Sequence, residues 1–323
     1  MNGDLSRLNE LGGWEGRPET VARIVGDKPS FWAAHPELKD CHKGKTVLLF
    51  KAFDSVLGKQ PSYRPQWRGT CVGRGGRIIE LLQAMQDAVG LGKFKALNCA
   101  AGTYGGARVE IGYGVHGGRI TGDGASVAYA VECMSTLGSV LCEQYETGKK
   151  LWDLRKSSDD DDLAVQWGAS GIPDDLEPLI ARYKVRDWWP VNEGAEAQDA
   201  IASGRPVIFG TSLCQWDRGS ITHRDRNGMA RIIGTTAHCW LADGTIDDGK
   251  VDAVVEDNKS WGDDCVDGPD PYNVGAGRYL AYPDDFTRQL QSTYGRQRFG
   301  EGYALEFFEG LEAQQKLLDW ITL

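Results

Sequence analysis

The sequence predicts an α+β fold of two lobes, a helical lobe followed by an antiparallel β lobe. Three observations predict it: helical spacing of apolar residues governs residues 71–90 and 125–137, β-like runs govern residues 206–282, and Gly/Asp turns separate those later runs. Helices first and strands afterwards suggest segregated layers.

The elements follow in chain order. The first forty-odd residues mix short polar turns with Trp14 and Trp32 and read as an irregular arm. Thr46 to Phe50 is a strand, and Gly58 to Gly69, containing Pro61 and Pro65, is turn-rich. From Cys71 the pattern changes: Val72, Ile78, Ile79, Leu82, Met85 and Val89 recur at helical spacing until Gly90. Cys71 therefore opens a helix of about five turns. A Gly-rich stretch from Gly102 to Gly124 leads into a second helical run, Ala125 to Leu137, stopped by Gly138. Ser157 to Asp175 reads as acidic and irregular, and Glu196 to Ala202 as a short helix closed by Gly204. Pro206 to Phe209, His238 to Ala242, Val251 to Glu256 and Arg278 to Tyr282 read as strands. A polar segment and a final helix, Gly310 to Ile321, look like an appendage. The expected organisation is an N-terminal arm over 1–45, a core domain over 46–284 and a C-terminal extension over 285–323. No repeat of twenty to fifty residues interrupts it.

The chain has 323 residues, 41% of them hydrophobic and 25% charged, as a cored globular protein requires. Its net charge of −10 argues against a nucleic-acid partner, whose phosphates need clustered positive charge. No run of about eighteen apolar residues could span a bilayer. Asp4, Arg7 and Glu10 stand where a signal peptide would carry its apolar core. The expected location is the cytoplasm of the producing cell. Acidic clusters occur at Asp159 to Asp162 and around Asp247 and Asp263. They lack the EF-hand spacing and read as solvated loops, so no metal is expected. Eight cysteines include no C-x-x-C pair, and reduced thiols are the default. Gly112 to Gly117 matches a dinucleotide fingerprint on paper without the strand and helix that would flank it, so no cofactor is expected.

One cysteine sits where chemistry is plausible. In Gln66-Trp-Arg-Gly-Thr-Cys71 the thiol lies at a helix start, where the helix dipole favours thiolate. A nearby imidazolium would depress its pKa further and make it a nucleophile. Gln66, on the entering loop, can reach back to form an oxyanion hole with the Cys71 backbone N–H. Of the five histidines, His238 begins a β-like run that could hold its ring rigidly. Asn258 ends the next strand, and adjacent antiparallel strands can set the two side by side. An Asn oxygen accepting from the ring would select the nitrogen that faces the thiol. Taken singly, Cys71 would read as a buried structural thiol, His238 as a core histidine and Asn258 as a turn cap.

In their order, Gln66, Cys71, His238 and Asn258-Lys-Ser-Trp261-Gly262 resemble the papain family of cysteine peptidases. The resemblance spans roughly residues 46–284. It implies a papain-like two-lobed fold, with Cys71 as nucleophile, His238 as base, Asn258 as orienter and Gln66 as oxyanion donor. It also implies a peptide or protein substrate, with Gly122 and Gly124 lining the cleft. Trp261 would shield the His–Asn bond or serve as a core aromatic. Three departures stand out. The partner cysteine and Trp beside the nucleophile are missing, Gln66 is five residues from Cys71, and Lys259 is inserted after Asn258, leaving Asp257 as an alternative orienter. The Gly-rich Tyr104 to Arg108 and Gly122 to Gly124 also resemble papain-like proteins of tailed bacteriophages. That resemblance implies a virion protein contacting phage structural proteins through its terminal arms.

Overall fold

The computed structural model describes residues 13–16, 18–113, 123–216, 224–294, 297–298 and 300–306. Gly122 and the expected C-terminal helix, Gly310 to Ile321, lie outside them.

The N-terminal region carries α1 (Pro18–Val25) and α2 (Phe31–Ala34), then β1 (Thr46–Leu48) and α3 (Lys51–Leu57). Cys71 opens α4 (Cys71–Gly75), and α5 (Ile78–Ala88) follows. The expected single helix is thus two, joined where the Gly76 and Arg77 amides bond back three residues, to Gly73 and Arg74, at 3.1 Å each. The glycines of α4 let α6 (Ala100–Gly105) come close: a Cβ on Gly73 would stand 2.5 Å from the Ala100 carbonyl oxygen. After π-helical turns at Gly106–Tyr113 comes α7 (Val127–Thr136), ended by Gly138 at φ +115°.

β2 (Gln144–Glu146) and β3 (Leu151–Asp153) form a hairpin. The acidic stretch expected to be irregular contains α8 (Asp161–Ser170). Asp160 caps it, accepting from the Leu163 amide at 3.0 Å, and Asp161 and Asp162 complement the positive end of the helix. Next come α9 (Glu177–Ile180), β4 (Asp187–Pro190), α10 (Gly194–Ala202) and β5 (Val207–Cys214). β6 (Met229–Ala230), β7 (Gly234–Asp247), β8 (Asp252–Asp257) and β9 (Arg278–Ala281) follow. The chain then forms α11 (Pro283–Leu290), the short pair β10 (Thr293–Tyr294) and β11 (Gln297–Arg298), and β12 (Glu301–Glu306).

The main sheet runs β4-β12-β5-β7-β8-β9-β6, with β1 also paired to β7. All its pairings are antiparallel except β6 with β9. β12 lies in the span expected to be an extension, yet it sits between β4 and β5 inside the sheet.

The sheet separates two cores. Along β5 and β7, Ile208, Cys239 and Leu241 pack with the helical lobe, beside Ile78, Leu82, Val127 and Trp167. Phe209, Trp240 and Ala242 face the other way, onto Phe50, Trp216, Tyr279 and Phe286. Strands buried on both faces show no polar alternation, so His238 to Ala242 reads as a continuous apolar run.

Candidate active site

Cys71, at the first position of α4, is buried. Its sulfur lies against the backbone amides of Cys239, Gly13 and Val72. Cys239 follows His238 on β7, so the sheet brings the helix start to the histidine's own strand. On β7 and β8, Leu241 stands opposite Asp257. Continuing that register puts Asn258 opposite Trp240, diagonal to His238 and on its face of the strand. The bond results: His238 Nε2 and Asn258 Oδ1 are 3.1 Å apart. With the amide oxygen as acceptor, Nε2 carries the proton and Nδ1 is left as the basic nitrogen. Nδ1 has no hydrogen-bond partner.

Trp261 stacks on the His238 ring at 4.5 Å and 25°, and Trp216 meets it edge-on at 6.2 Å. Both indoles are buried and keep water from the His–Asn bond. Asp257, the alternative orienter, belongs to a different network. It binds Arg77 at 3.2 Å and Arg278 at 2.8 Å, and accepts from the Lys259 amide. Burial opposes its ionisation, but these two guanidiniums hold its carboxyl well below the usual range. The inserted Lys259 is buried as well, its ammonium donating to the Pro61 carbonyl at 3.1 Å. It ties the Asn258 loop to the loop entering α4.

Gln66 lies on that entering loop, its amide bonded to the Ser260 carbonyl at 2.8 Å. Its side-chain Nε2 donates to the Arg68 carbonyl at 3.1 Å, and Oε1 is buried without a partner. The acidic cluster, expected to be solvated, holds this loop in place. Asp161 is buried and accepts from the Thr70 hydroxyl at 2.6 Å, the Trp67 amide at 2.8 Å and the Arg74 guanidinium at 3.0 Å. Asp159 grips Arg64 through its backbone amide and its guanidinium. Three acidic residues followed by Leu163, Ala164 and Trp167 were the sequence signal for a capped helix start. Which loop the carboxylates would hold had no sequence signal.

The described residues 13–16 of the N-terminal arm lie between the lobes. The Trp14 amide donates to the Ala237 carbonyl at 3.2 Å, on the β-lobe side. On the helical side Trp14 pairs in parallel with Ala125: the Glu15 amide donates to the Ala125 carbonyl, and the Ala125 amide to the Gly13 carbonyl. A Cβ on Gly13 would stand 2.1 Å from the Gly69 carbonyl oxygen, two residues from the nucleophile position. Gly124, the described member of the expected glycine pair, has φ +114° and lies against the Glu15 side chain. The arm thus roofs the cleft with main chain.

This burial sets the resting protonation. It pushes the Cys71 thiol up to about 12, the facing amides only partly opposing it. It brings His238 down to about 3, against the bond from Asn258. Under the arm both groups are neutral near pH 7. All eight cysteines are free thiols. Among the described residues no group of three His, Cys, Asp or Glu could hold a metal, and no helix is long and apolar enough to cross a membrane.

No family model matches the chain, and no curated protein does. Solved structures do. Xylellain, a cysteine protease from Xylella fastidiosa, superposes with a TM-score of 0.54 at 13% identity, over 93% of this chain and 97% of that one. A cysteine protease of Carica candamarcensis in complex with E-64 gives 0.43 at 14% identity, over 81% and 98%. Procathepsin B S9 of Trypanosoma congolense gives 0.46 at 10% identity, over 94% and 88%. The chain has the papain-like fold of cysteine proteases, as xylellain's likeness over nearly the whole of both chains establishes. These likenesses do not bear on the resemblance to phage proteins.

Proposed function

We propose that the chain is a papain-like thiol peptidase, latent while its N-terminal arm lies in the cleft, that hydrolyses peptide bonds through an acyl-enzyme on Cys71. The observation that carries this reading is the His238 Nε2–Asn258 bond under Trp261, one residue along β7 from the amide that meets the Cys71 sulfur.

With the arm withdrawn, water reaches the thiol and the imidazole, and the desolvation that keeps both neutral is relieved. His238 Nδ1 takes the thiol proton, and the thiolate attacks the peptide carbonyl carbon. The Cys71 N–H and the Gln66 Nε2 donate to the resulting oxyanion once Gln66 leaves the Arg68 carbonyl. His238 returns its proton to the leaving amine as the C–N bond breaks. It then takes a proton from water, which attacks the thioester and frees the acid and the thiol. Asn258 keeps the ring in one tautomer throughout. Gly122 and Gly124 would offer main chain to the substrate, as Ala125 does to the arm.

A second reading is a protein that keeps the fold without turnover, serving in assembly, such as a phage particle component bound through its terminal arms. The complete burial of Cys71 favours it. Hydrolysis of a mixed fluorogenic peptide library by the wild type and by Cys71→Ala, each before and after limited proteolysis of the arm, separates the two. Turnover that appears on nicking and is absent in Cys71→Ala supports the peptidase; equal turnover in both removes Cys71 from the mechanism.

A further inference from the structure

The residue that closes the cleft also reports what the cleft accepts. Peptides bound along an edge owe affinity to main-chain bonds and specificity to the pockets that receive their side chains. Trp14 is held in that way: its own amide bonds one wall, its neighbours Gly13 and Glu15 bond the other through Ala125, and its side chain is buried to 2% exposure. Its indole passes over Gly210 of β5, where a Cβ would stand 2.3 Å from Nε1. Any side chain at that position would fill the space. Nε1 donates to Glu301 Oε1 at 2.6 Å. Gly210 and Glu301 are directly opposite each other on β5 and β12, so one cross-strand pair supplies both the floor and the polar end.

Glu301 has a structural role that fixes its position. Its oxygens accept from the Val127 and Ala128 amides at the start of α7, from Ser126, and from the Tyr303 hydroxyl. The carboxylate is therefore held in place whether or not an indole is present. A rigid acceptor at the end of a flat apolar slot admits a ring with an N–H at its rim. An equally flat ring without one forgoes this charge-assisted bond, and Oε1 then keeps only the Val127 amide and the Ser126 hydroxyl.

We propose that Gly210 and Glu301 form a side-chain subsite for tryptophan, filled by Trp14 at rest and by a tryptophan of the peptide substrate when the arm is displaced. Its use by a substrate rests on the peptidase reading; the pocket's selectivity does not. In the full-length Trp14→Ala protein the slot is emptied within a paired arm, and an apolar cavity of this kind takes up free aromatic molecules. Calorimetric titration with indole and with benzofuran, its isostere lacking the N–H, tests the pocket. Indole should bind at least tenfold more tightly. Equal affinities, or no indole binding, overturn the assignment. The same variant, after limited proteolysis of its arm, is assayed on matched peptides carrying Trp or Phe, with at least a tenfold kcat/KM preference for Trp expected. Selective indole binding without any hydrolysis would keep the pocket and sink the peptidase reading. Hydrolysis of Trp and Phe peptides alike would keep the peptidase and sink the subsite. Should Trp14→Ala fail to fold, Trp14→Phe removes only the donor and should speed iodoacetamide labelling of Cys71 at least tenfold; an unchanged rate overturns the role of Glu301.

Discussion

Replacing Asp161 with asparagine should destabilise the protein out of proportion to the change, because one carboxylate organises the loop that enters α4. Oδ1 accepts from the Thr70 hydroxyl and Arg74, and Oδ2 from the Trp67 amide. Arg74 and Asp161 are both buried, with side-chain exposures of 3% and 0%. Removing one member of a buried ion pair typically costs about 3–5 kcal/mol, because the remaining charge is stranded. Arg74 keeps the Arg64 and Asp159 carbonyls, which favours the lower end. Asparagine must also turn its NH2 toward one of the donors the carboxylate now receives, adding about 1 kcal/mol. The expected loss is about 4 kcal/mol, read from urea unfolding at pH 7 by linear extrapolation. Asp162, exposed on the same turn, is the control, and Asp162→Asn should lie within about 0.5 kcal/mol of wild type. A loss below about 1 kcal/mol for Asp161→Asn would refute the argument that this ion pair holds the loop.

Three further outcomes are expected. At pH 5.5 the resting full-length protein should show no selective iodoacetamide labelling of Cys71, because burial holds its thiol near 12; preferential labelling there would mean that the arm leaves the cleft open. Asn258→Ala should lower peptide turnover about 100-fold through loss of the ring orientation, and unchanged kcat would show that Trp261 and Trp216 suffice to hold His238. Glu256 is buried, accepts from the Trp240 indole and the Tyr279 hydroxyl, and is raised by burial to about 7. A folded pKa above the unfolded one gives stability present at low pH and lost as pH rises through it. Between pH 4.5 and 8 the stability of wild type relative to Glu256→Gln should therefore fall by about 3 kcal/mol in parallel urea titrations; a constant difference would refute the linkage.

Much of this architecture was legible in the residues. The helical spacing after Cys71, the stop at Gly138 and the apolar run after His238 each follow from local periodicity and turn chemistry. α8 was missed because four consecutive aspartates read as solvated loop. Three of them form its cap and first turn, and Asp161 is matched by a cation, Arg74, that lies far away in the chain. β12 was missed because its central place depends on partners in β4 and β5, more than ninety residues upstream.

The candidate site divides in the same way. The types and order of Gln66, Cys71, His238 and Asn258 were determined by the sequence, since order along the chain is all that a pattern of residue types needs. The choice of Asn258 over Asp257 belonged to the tertiary structure. Neighbouring strand residues face opposite ways, and the Arg77 and Arg278 guanidiniums claim the carboxylate. The arm's course between the lobes, the neutral resting thiol, and the meeting of Trp14 with Glu301 were also decided only there. Each depends on burial or on contact between segments far apart in the chain, such as the 287 residues that separate Trp14 from its acceptor. Local spacing carries no information about which distant groups a fold will bring together or exclude from water.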